Sequence, residues 1–262
     1  MFPELIEIGG TKIHSYGFFI ALGYVSGLLL GRWLAKARGL DPSPYMDLAF
    51  IAIVSGVIGA RLLYVFTAPA YFLEKPGEIL DFWNGGLVFY GGFLLATAAC
   101  FAYGLYRKLP VGLSCDIVLT GVAFAHAFGR IGCFAAGCCH GTACSLPWAI
   151  VNNSGFVAPS LRGIPIHPVQ LYESALLFLL TGLLVWLILG RKLTEGFAGL
   201  LYLTGYAAIR FLLEFFRADE DRGTVLGGWF STSQGIALFL FALGCALFIF
   251  GIRWQHAERR NL

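Results

Sequence analysis

Seven long apolar stretches constrain the fold of this chain more than any other feature of its sequence. Each holds about 20 residues, the length that a helix needs to cross the hydrocarbon core of a bilayer. The stretches are too long and too continuously apolar for the strands of a membrane barrel, so helices are expected. The predicted spans lie near residues 15–33, 46–66, 86–106, 114–132, 169–189, 196–215 and 230–251.

The composition excludes an ordinary soluble domain. Of the 262 residues, 58% are hydrophobic and 13% are charged, whereas soluble domains carry roughly 25% charged residues. The net charge of +3 is scattered and forms no basic tract, so no nucleic-acid partner is expected. We predict an all-α polytopic membrane protein, with residues 1–262 as a single transmembrane domain and residues 133–168 as a small head outside the bilayer.

The distribution of Lys and Arg predicts how the chain crosses the membrane. Basic residues follow the odd-numbered spans, and basic loops favour the cytoplasmic side. Acidic residues with few matching cations mark the other side, so we expect a periplasmic N-terminus and head and a cytoplasmic C-terminus. The basic set is Arg32, Lys36, Arg38, Arg107, Lys108, Arg191, Lys192, Arg253, Arg259 and Arg260, and the acidic set is Glu4, Glu7, Glu74, Glu78, Asp81, Asp219, Glu220 and Asp221.

The first span repeats glycine at every fourth position. Gly23, Gly27 and Gly31 lie on one face of the predicted helix. Small residues at this spacing let the backbones of two membrane helices approach closely. The repeat therefore predicts a packing contact with another span.

Three arginines lie within or at the edges of the apolar spans. A charged side chain there costs at least about 2.5 kcal/mol, and because Arg stays charged it needs a carboxylate, a phosphate or carbonyl oxygens. Arg61 has no obvious functional neighbour, which favours a structural role. Arg130 and Arg210 lie near the outer ends of their spans, at the level of lipid headgroups, and we expect the two side chains to clamp a phosphate.

Two carboxylates accompany these arginines. Glu214 lies one helical turn after Arg210, and Arg217 lies close to the next turn, so the three charges are predicted on one helix face. The simplest interpretation of that face is an internal salt bridge. Glu173 lies about one turn inside a helix that begins after Pro168. It either complements the helix dipole or pairs with an intramembrane arginine, and the sequence leaves both open.

Six short motifs occur in order along the spans. One is weak evidence, but six in order around seven spans are specific. They are Tyr16-Gly17, Gly59-Ala60-Arg61-Leu62-Leu63-Tyr64, Gly85-Gly86-Leu87-Val88-Phe89-Tyr90-Gly91-Gly92, Gly129-Arg130-Ile131-Gly132-Cys133-Phe134 with Gly137 and Gly141, His167-Pro168-Val169-Gln170-Leu171-Tyr172-Glu173, and Arg210-Phe211-Leu212-Leu213-Glu214-Phe215-Phe216-Arg217. Over nearly its whole length the chain resembles the prolipoprotein diacylglyceryl transferase family.

The resemblance implies a helical body in the inner membrane of a bacterium, with a small periplasmic head. The implied reaction moves the diacylglyceryl group of phosphatidylglycerol to the cysteine thiol of a prolipoprotein lipobox, which creates a thioether and releases glycerol phosphate. The implied partners are therefore phosphatidylglycerol, lipobox substrates and membrane lipid, and no cofactor is implied. The leaving group is an anion, which Arg130 and Arg210 would stabilise.

Candidate site residues follow from these motifs and from the cysteine-rich loop described below. The candidates for catalysis are Arg130, Arg210, Tyr16, Tyr90, Glu214 and His140. The candidates for substrate binding are Arg130, Arg210, Gly91, Gly92, Gly132, Gly141, Glu173 and Arg217.

Three positions depart from the usual pattern of the family. Tyr90 stands where the family has His, Cys133 where it has Asn, and Cys138 where it has an acidic residue. A tyrosine hydroxyl, with an ordinary pKa of about 10, is a poor base. Either the His is dispensable, or another group such as His140 replaces it.

Four cysteines and one histidine fall within the loop after the fourth span, and three interpretations compete. An oxidising compartment favours a disulfide, whose connectivity the spacing does not reveal. A zinc site is the second, since the ligand types fit but the spacing is irregular. The third is a reactive thiol or imidazole. The five residues are Cys133, Cys138, Cys139, His140 and Cys144; no metal is our first expectation.

Other functional classes remain as alternatives. A divergent paralogue would keep the lipid site and serve another acceptor, and the altered signature loop is its best support. A membrane thiol-redox or metal-binding protein built on residues 133–144 is the second, and a non-catalytic lipid-binding protein is the third. Complementation of a strain depleted of the transferase separates the enzyme from its paralogue.

The orientation is tested by reporter fusions at Arg38, Lys108 and Lys192. All three are expected to report the cytoplasm, because the basic residues follow odd-numbered spans. A periplasmic signal at any two of these sites would contradict the seven-span topology.

Overall fold

The computed structural model describes residues 3–8, 11–81, 85–153, 157–190, 194–218, 223–225 and 229–260. Some of the charged residues that predict the orientation lie outside these ranges, namely Arg191, Lys192 and the acidic residues 219–221. The described part contains eight α-helices: α1 Ser15–Ala37, α2 Ser43–Thr67, α3 Pro69–Glu74, α4 Phe89–Tyr106, α5 Val111–Ala136, α6 Val169–Leu189, α7 Phe197–Glu214 and α8 Thr232–Arg260.

Seven of these helices, all except the short α3, are long and apolar enough to cross a membrane. The predicted all-α membrane fold with about seven spans is therefore confirmed. Proline lies at the second position of α2 and directly before α5 and α6. Its ring fits the first turn of a helix but not the interior, which explains where these helices begin.

The helices keep large apolar side chains on their outer surfaces. Phe50 is 69% exposed, Phe93 is 56% exposed and Leu179 is 71% exposed, although all three lie inside long helices. Apolar surface at these positions is compatible with lipid as the surrounding solvent. The protein is therefore a multi-pass membrane protein.

The contacts divide the chain into two compact units. One comprises residues 1–34 and 115–262, and the other comprises residues 35–114. The expected single transmembrane domain stays a prediction. Three antiparallel two-stranded ribbons join the helices in the described part; they pair β1 (Glu4–Ile8) with β2 (Thr11–His14), β3 (Ile150–Val151) with β4 (Pro165–Ile166), and β5 (Thr224–Val225) with β6 (Phe230–Ser231).

Within the larger unit, α1 packs against α5 through the glycine repeat. A Cβ added to Gly27 would lie 2.5 Å from the carbonyl oxygen of Gly121, and one added to Gly23 would lie 2.7 Å from that of Ala125. Gly31 is looser, because its nearest neighbour is a side-chain atom 3.8 Å away. The predicted packing contact is confirmed, and its pairing shows that α1 and α5 run antiparallel.

A buried carboxylate joins α5 to α7. Asp116 is 4% exposed and accepts hydrogen bonds from the backbone N–H groups of Gly196, at 2.8 Å, and Gly199, at 2.7 Å. These N–H groups begin α7 and have no partner within their own helix. The positive end of the α7 dipole also favours the carboxylate, so this contact fixes the end of α7 that is remote from the site.

The segment between α5 and α6 is tied to the chain that follows α7. Gly141 donates its backbone N–H to the carbonyl of His167 at 3.2 Å, and His167 donates to Thr142 at 3.0 Å. Thr142 donates in turn to the carbonyl of Phe216 at 2.9 Å. The beginning of α6 and the end of α7 are therefore held side by side, which positions the site described below. The assignment of residues 133–168 to a periplasmic head stays a prediction.

In the smaller unit, α2 and α4 meet through glycine. A Cβ added to Gly92 would lie 2.6 Å from the carbonyl oxygen of Gly56, and Gly91 meets Gly59 still more closely. The structure thus gives Gly91 and Gly92 a packing function that the sequence did not predict. Their substrate-binding role stays a prediction.

Arg61 lies in the same unit, where backbone carbonyls surround its guanidinium. Its guanidinium donates to the carbonyls of Ile79 at 2.9 Å, Gly85 at 3.0 Å and Gly86 at 3.1 Å, and also to that of Glu78. Carbonyl oxygens are one of the partners that an intramembrane arginine requires. The contacts agree with the structural role expected for Arg61.

The α1–α5 contact makes a test of glycine packing possible. Gly27→Ala is expected to destabilise the protein by about 1–3 kcal/mol, because the methyl group would overlap the Gly121 carbonyl. Gly182→Ala is the matched control, since a Cβ there meets nothing within 4 Å. Thermal melts in detergent should show a lower midpoint for Gly27→Ala alone, and equal midpoints for the two variants would contradict the packing role.

Candidate active site

A fully buried carboxylate lies at the centre of the site. Glu173 is the fifth residue of α6 and has no exposed surface. Its Oε1 lies 2.8 Å from Nη2 of Arg130 on α5 and accepts a hydrogen bond from the hydroxyl of Tyr206 on α7 at 3.0 Å. Of the two roles left open by the sequence, pairing with an intramembrane arginine is the one observed. One carboxylate therefore links α5, α6 and α7.

Two further titratable side chains approach Glu173. Nη1 of Arg217 lies 3.9 Å from Oε2 of Glu173, and Nε2 of His126 lies 3.9 Å from Oε1. The His126 ring packs edge to face on Tyr206, with the ring centroids 4.7 Å apart. The Arg217 side chain is 4% exposed, so this second guanidinium is buried with the carboxylate.

The second ion pair of the site lies on α7. Nη1 of Arg210 is 2.6 Å from Oε2 of Glu214, one helical turn later. The other oxygen of Glu214 accepts a hydrogen bond from the Ser231 hydroxyl at 2.8 Å. The predicted internal salt bridge between Arg210 and Glu214 is present, and Ser231 orients its carboxylate.

Arg217 is not on the helix face that the sequence predicted. The helix α7 ends at Glu214, and Arg217 forms an isolated β-bridge with Gly141 beyond it. The prediction of three charges on one face was wrong at this position because the helix stops before its next turn. The bridge instead directs Arg217 towards Glu173.

The remaining sequence candidates have different environments. Tyr16 is 47% exposed at the start of α1, where it interacts with Arg130 and the nearby cysteines. His140 is 4% exposed, and its Nδ1 lies 3.4 Å from the carbonyl oxygen of Gly141. Gly132 packs against α1, since an added Cβ would lie 3.1 Å from that of Phe19. Tyr90 is 62% exposed and belongs to the smaller unit.

The cysteine-rich loop forms a smaller group than the sequence suggested. All seven cysteines are free thiols in the structure, so the disulfide interpretation is not what is observed. The sulfur atoms of Cys133, Cys138 and Cys139 lie within 4.8 Å of one another. Among the described residues, His140 and Cys144 are not part of this group, which corrects the five-residue ligand set.

The groups around Cys139 favour the thiolate form of its side chain. Hydrogen bonds from Cys133 and Cys138, together with the Arg217 guanidinium, lower the pKa of the Cys139 thiol. Nη1 of Arg130 lies 4.0 Å from the sulfur of Cys133. Two of the arginines of the site therefore lie close to the three sulfurs.

Three residues of the site were missed by the sequence reasoning. Tyr206 and His126 contact Glu173, and Gln170 donates to the carbonyl of Cys138 at 2.6 Å. His126 carried a usable signal, because an ionisable residue inside an apolar span is expected to face a polar interior. Tyr206 in the middle of α7 and Gln170 at the beginning of α6 carried none, since neither side chain is charged.

Comparisons with known proteins identify relatives of this chain. Residues 3–250 match the family model described as prolipoprotein diacylglyceryl transferase. The phosphatidylglycerol–prolipoprotein diacylglyceryl transferase of Clostridium tetani is 36% identical over 253 residues, which cover 96% of this chain and 98% of the relative. The phosphatidylglycerol–prolipoprotein diacylglyceryl transferase 2 of Clostridium perfringens is 34% identical over 243 residues, which cover 92% of this chain and 92% of the relative. The Synechococcus elongatus enzyme is 31% identical, over 99% of this chain and 89% of its own.

Glu173 is expected to be essential for folding as well as for the geometry of the site. Glu173→Ala removes the partner of Arg130 and leaves buried guanidiniums uncompensated, so a loss of about 3–5 kcal/mol is expected. Glu4→Ala is the control, because its ion pair with Lys12 is about half exposed and such pairs contribute little. Thermal melts of both purified variants test this prediction. Equal melting temperatures would contradict the central structural role of Glu173.

Proposed function

The chain belongs to the prolipoprotein diacylglyceryl transferase family, and we propose that the arginines around Glu173 and Glu214 hold its lipid substrate. The enzyme transfers the diacylglyceryl group of phosphatidylglycerol to a prolipoprotein. The sulfur of the acceptor cysteine bonds to the glycerol carbon of the diacylglyceryl group while the bond between that carbon and the phosphate oxygen breaks. Glycerol phosphate leaves with the electron pair, the thiol loses its proton, and a thioether remains.

The charge of the cluster carries this proposal. Arg130, Arg210 and Arg217 share the carboxylates of Glu173 and Glu214, so among the residues that the structure describes three positive groups face two negative ones. In a site shielded from water, the remaining positive charge acts more strongly than it would in solvent. This positive charge stabilises a bound anionic phosphodiester. It stabilises the departing phosphate more strongly, because negative charge grows on that group as the bond breaks.

Arg130 is the first proposed ligand of the phosphate. Its Nη2 is used by Glu173, whereas its Nε is buried and has no hydrogen-bond partner in the described part of the chain. A guanidinium is able to bind a carboxylate on one edge and a phosphate on another. Glu173 then serves as a positioning residue, since it fixes the plane of the Arg130 guanidinium and also holds Tyr206.

Arg210 is the second proposed ligand. Its partner Glu214 is itself held by Ser231, so the carboxylate that pairs with the Arg210 guanidinium is fixed from two sides. Arg130 and Arg210 both lie close enough to His126 and Tyr206 to act on them electrostatically. We therefore propose that the two arginines act on one bound phosphate, with Arg217 adding to the potential.

The same potential assists the acceptor thiol. A thiol attacks as its thiolate, and neighbouring cations favour that form. Tyr16 is close enough to Arg130 to interact with it electrostatically and remains half-exposed, and we propose that it orients the incoming substrates. The roles of His140 and Tyr90 in proton transfer, and those of Gly91, Gly92, Gly132 and Gly141 in substrate binding, stay predictions.

We further propose that the site faces the periplasm in a bacterial inner membrane. Because α1 and α5 are antiparallel, the beginning of α1 lies beside the end of α5, where Arg130 is found. The basic residues Lys36 and Arg38 lie at or just beyond the opposite end of α1. Basic residues favour the cytoplasm, which supports a periplasmic N-terminus, a cytoplasmic C-terminus and a lipid substrate from the outer leaflet.

The phosphate-binding role predicts a large kinetic effect at both arginines. Arg130→Ala and Arg210→Ala should each slow transfer by about two to three orders of magnitude, the scale for loss of one anion-stabilising donor. Lys at either position should restore part of the rate, because it keeps the charge but not the bidentate geometry. Transfer from labelled phosphatidylglycerol to a lipobox peptide is measured on folded, detergent-purified protein.

The matched control is Arg107→Ala, whose side chain is 39% exposed in its pair with Asp47. A purely structural salt bridge makes a different prediction, namely that Arg210→Ala mainly destabilises the fold and that Glu214→Gln in the same chain restores stability. Near-normal turnover in Arg130→Ala, with unchanged melting behaviour, would falsify the phosphate-binding role.

A further inference from the structure

We propose that Cys133, Cys138 and Cys139 form a binding site for one thiophilic metal ion, of the Zn²⁺ or Cu⁺ type. Their sulfur atoms lie within 4.8 Å of one another. Zinc binds thiolate sulfur at about 2.3 Å, so a metal at the centre of the three sulfurs requires only a small inward movement of the side chains. The proposal concerns metal binding alone; the site shares Arg130 and Arg217 with the proposed phosphate site, but its tests do not use the transfer reaction.

The end of α5 brings the first two sulfurs together. Gly137 has a φ of +84°, and its N–H bonds to the carbonyl of Phe134 at 3.1 Å, while the N–H of Cys138 bonds to that of Cys133 at 3.1 Å. These two bonds define a Schellman motif, in which the residue after the glycine packs against the residue five positions earlier. This turn therefore brings together two residues that are five positions apart, here Cys133 and Cys138.

The third sulfur is placed by an unusual backbone conformation. Cys139 has a φ of +60°, a region that residues other than glycine rarely occupy and that clusters at functional sites. Two buried side chains hold the preceding turn: Asn152 donates to the carbonyl of Gly137 at 2.9 Å, and Gln170 donates to that of Cys138 at 2.6 Å. The three thiols are therefore arranged in advance by contacts that involve no metal.

Two guanidiniums lie beside the three thiols. Nη1 of Arg130 lies 4.0 Å from the sulfur of Cys133, and Arg217 is the cation beside Cys139. Three thiolates around a divalent ion leave one net negative charge, and two adjacent guanidiniums offset it. Cys133 is buried, at 8% exposure, whereas Cys138 and Cys139 are partly exposed and so remain accessible to a metal ion.

The composition of the site indicates the class of metal. Thiolate sulfur selects Cu⁺ and Zn²⁺ over Mg²⁺ and Ca²⁺, which prefer oxygen. His140 and Cys144 do not join the group, so the described part of the chain offers three ligands. Zn²⁺ would keep a fourth position for a small ligand such as water.

Zinc titration of the full-length protein in detergent, with a non-thiol reductant and a competing chromophoric chelator, tests the proposal. One equivalent should bind tightly, and Co²⁺ in its place should show thiolate charge-transfer absorption. Cys133→Ser, Cys138→Ser and Cys139→Ser should each weaken binding by at least about 100-fold, since loss of a partner outside the ligand set already costs about 10- to 100-fold. Cys144→Ser, the matched control, should bind as the unmodified chain does.

Alkylation gives a second readout that does not require the variants to fold. Zn²⁺ should slow the reaction of iodoacetamide with Cys133, Cys138 and Cys139 in the unmodified protein, as mapped by peptide mass, and leave Cys144 unaffected. The proposal is overturned if reduced protein binds less than one equivalent of Zn²⁺, if Cys144→Ser loses as much affinity as the other variants, or if Zn²⁺ gives the three thiols no protection. Recovery of a disulfide between any two of them under reductant would also overturn it.

Discussion

A single buried carboxylate organises the charged cluster that we propose as the active site. Glu173 has no exposed surface, and an isolated carboxylate in such a place would be very costly. It is tolerated because Arg130 on α5, Tyr206 on α7 and Arg217 beyond α7 all approach it. The same contacts make Arg130 and Arg217 tolerable in the buried site, and Glu214 does this for Arg210. The cost of burying each charge is thus offset by the others, and within the described part of the chain the surplus positive charge is what we propose the anionic lipid binds.

The helix packing explains why these charges meet at one end of the larger unit. The glycine contact sets α1 antiparallel to α5, and Asp116 holds the beginning of α7 near the beginning of α5. The hydrogen bonds among Gly141, Thr142 and His167 then close the opposite end. Arg130, Glu173 and Arg210 therefore lie on three helices whose ends are fixed independently of the substrate. A preorganised site of this kind stabilises charge that develops during a reaction without having to reorganise.

Much of this architecture is visible in the sequence, because its causes are local. The spans follow from apolar stretches of sufficient length, and the contact of α1 follows from the spacing of Gly23 and Gly27. The arginines are conspicuous because lipid tolerates them only with partners. The resemblance to the family then indicated which of them bear on the reaction.

The identities of the partners could not be predicted, because they depend on tertiary contacts between distant segments. Tyr206 is 33 positions from Glu173, and no periodicity connects them. Arg217 was placed on a helix face because nothing in its sequence marks Glu214 as the last residue of α7. The triad of cysteines depends on a turn geometry, at Gly137 and Cys139, that spacing alone does not define.

The central claim is that Arg130 and Arg210, held by Glu173 and Glu214, bind the phosphate that leaves. The most direct measurement is a ³¹P NMR titration of glycerol phosphate with the purified protein, without acceptor or lipid substrate, so that binding is separated from turnover. We predict saturable binding to the unmodified chain, weakened by about 10-fold or more in folded Arg130→Gln and Arg210→Gln, since charge-assisted hydrogen bonds contribute about 1.5–3 kcal/mol. Equal affinity of all three proteins for glycerol phosphate would contradict the account.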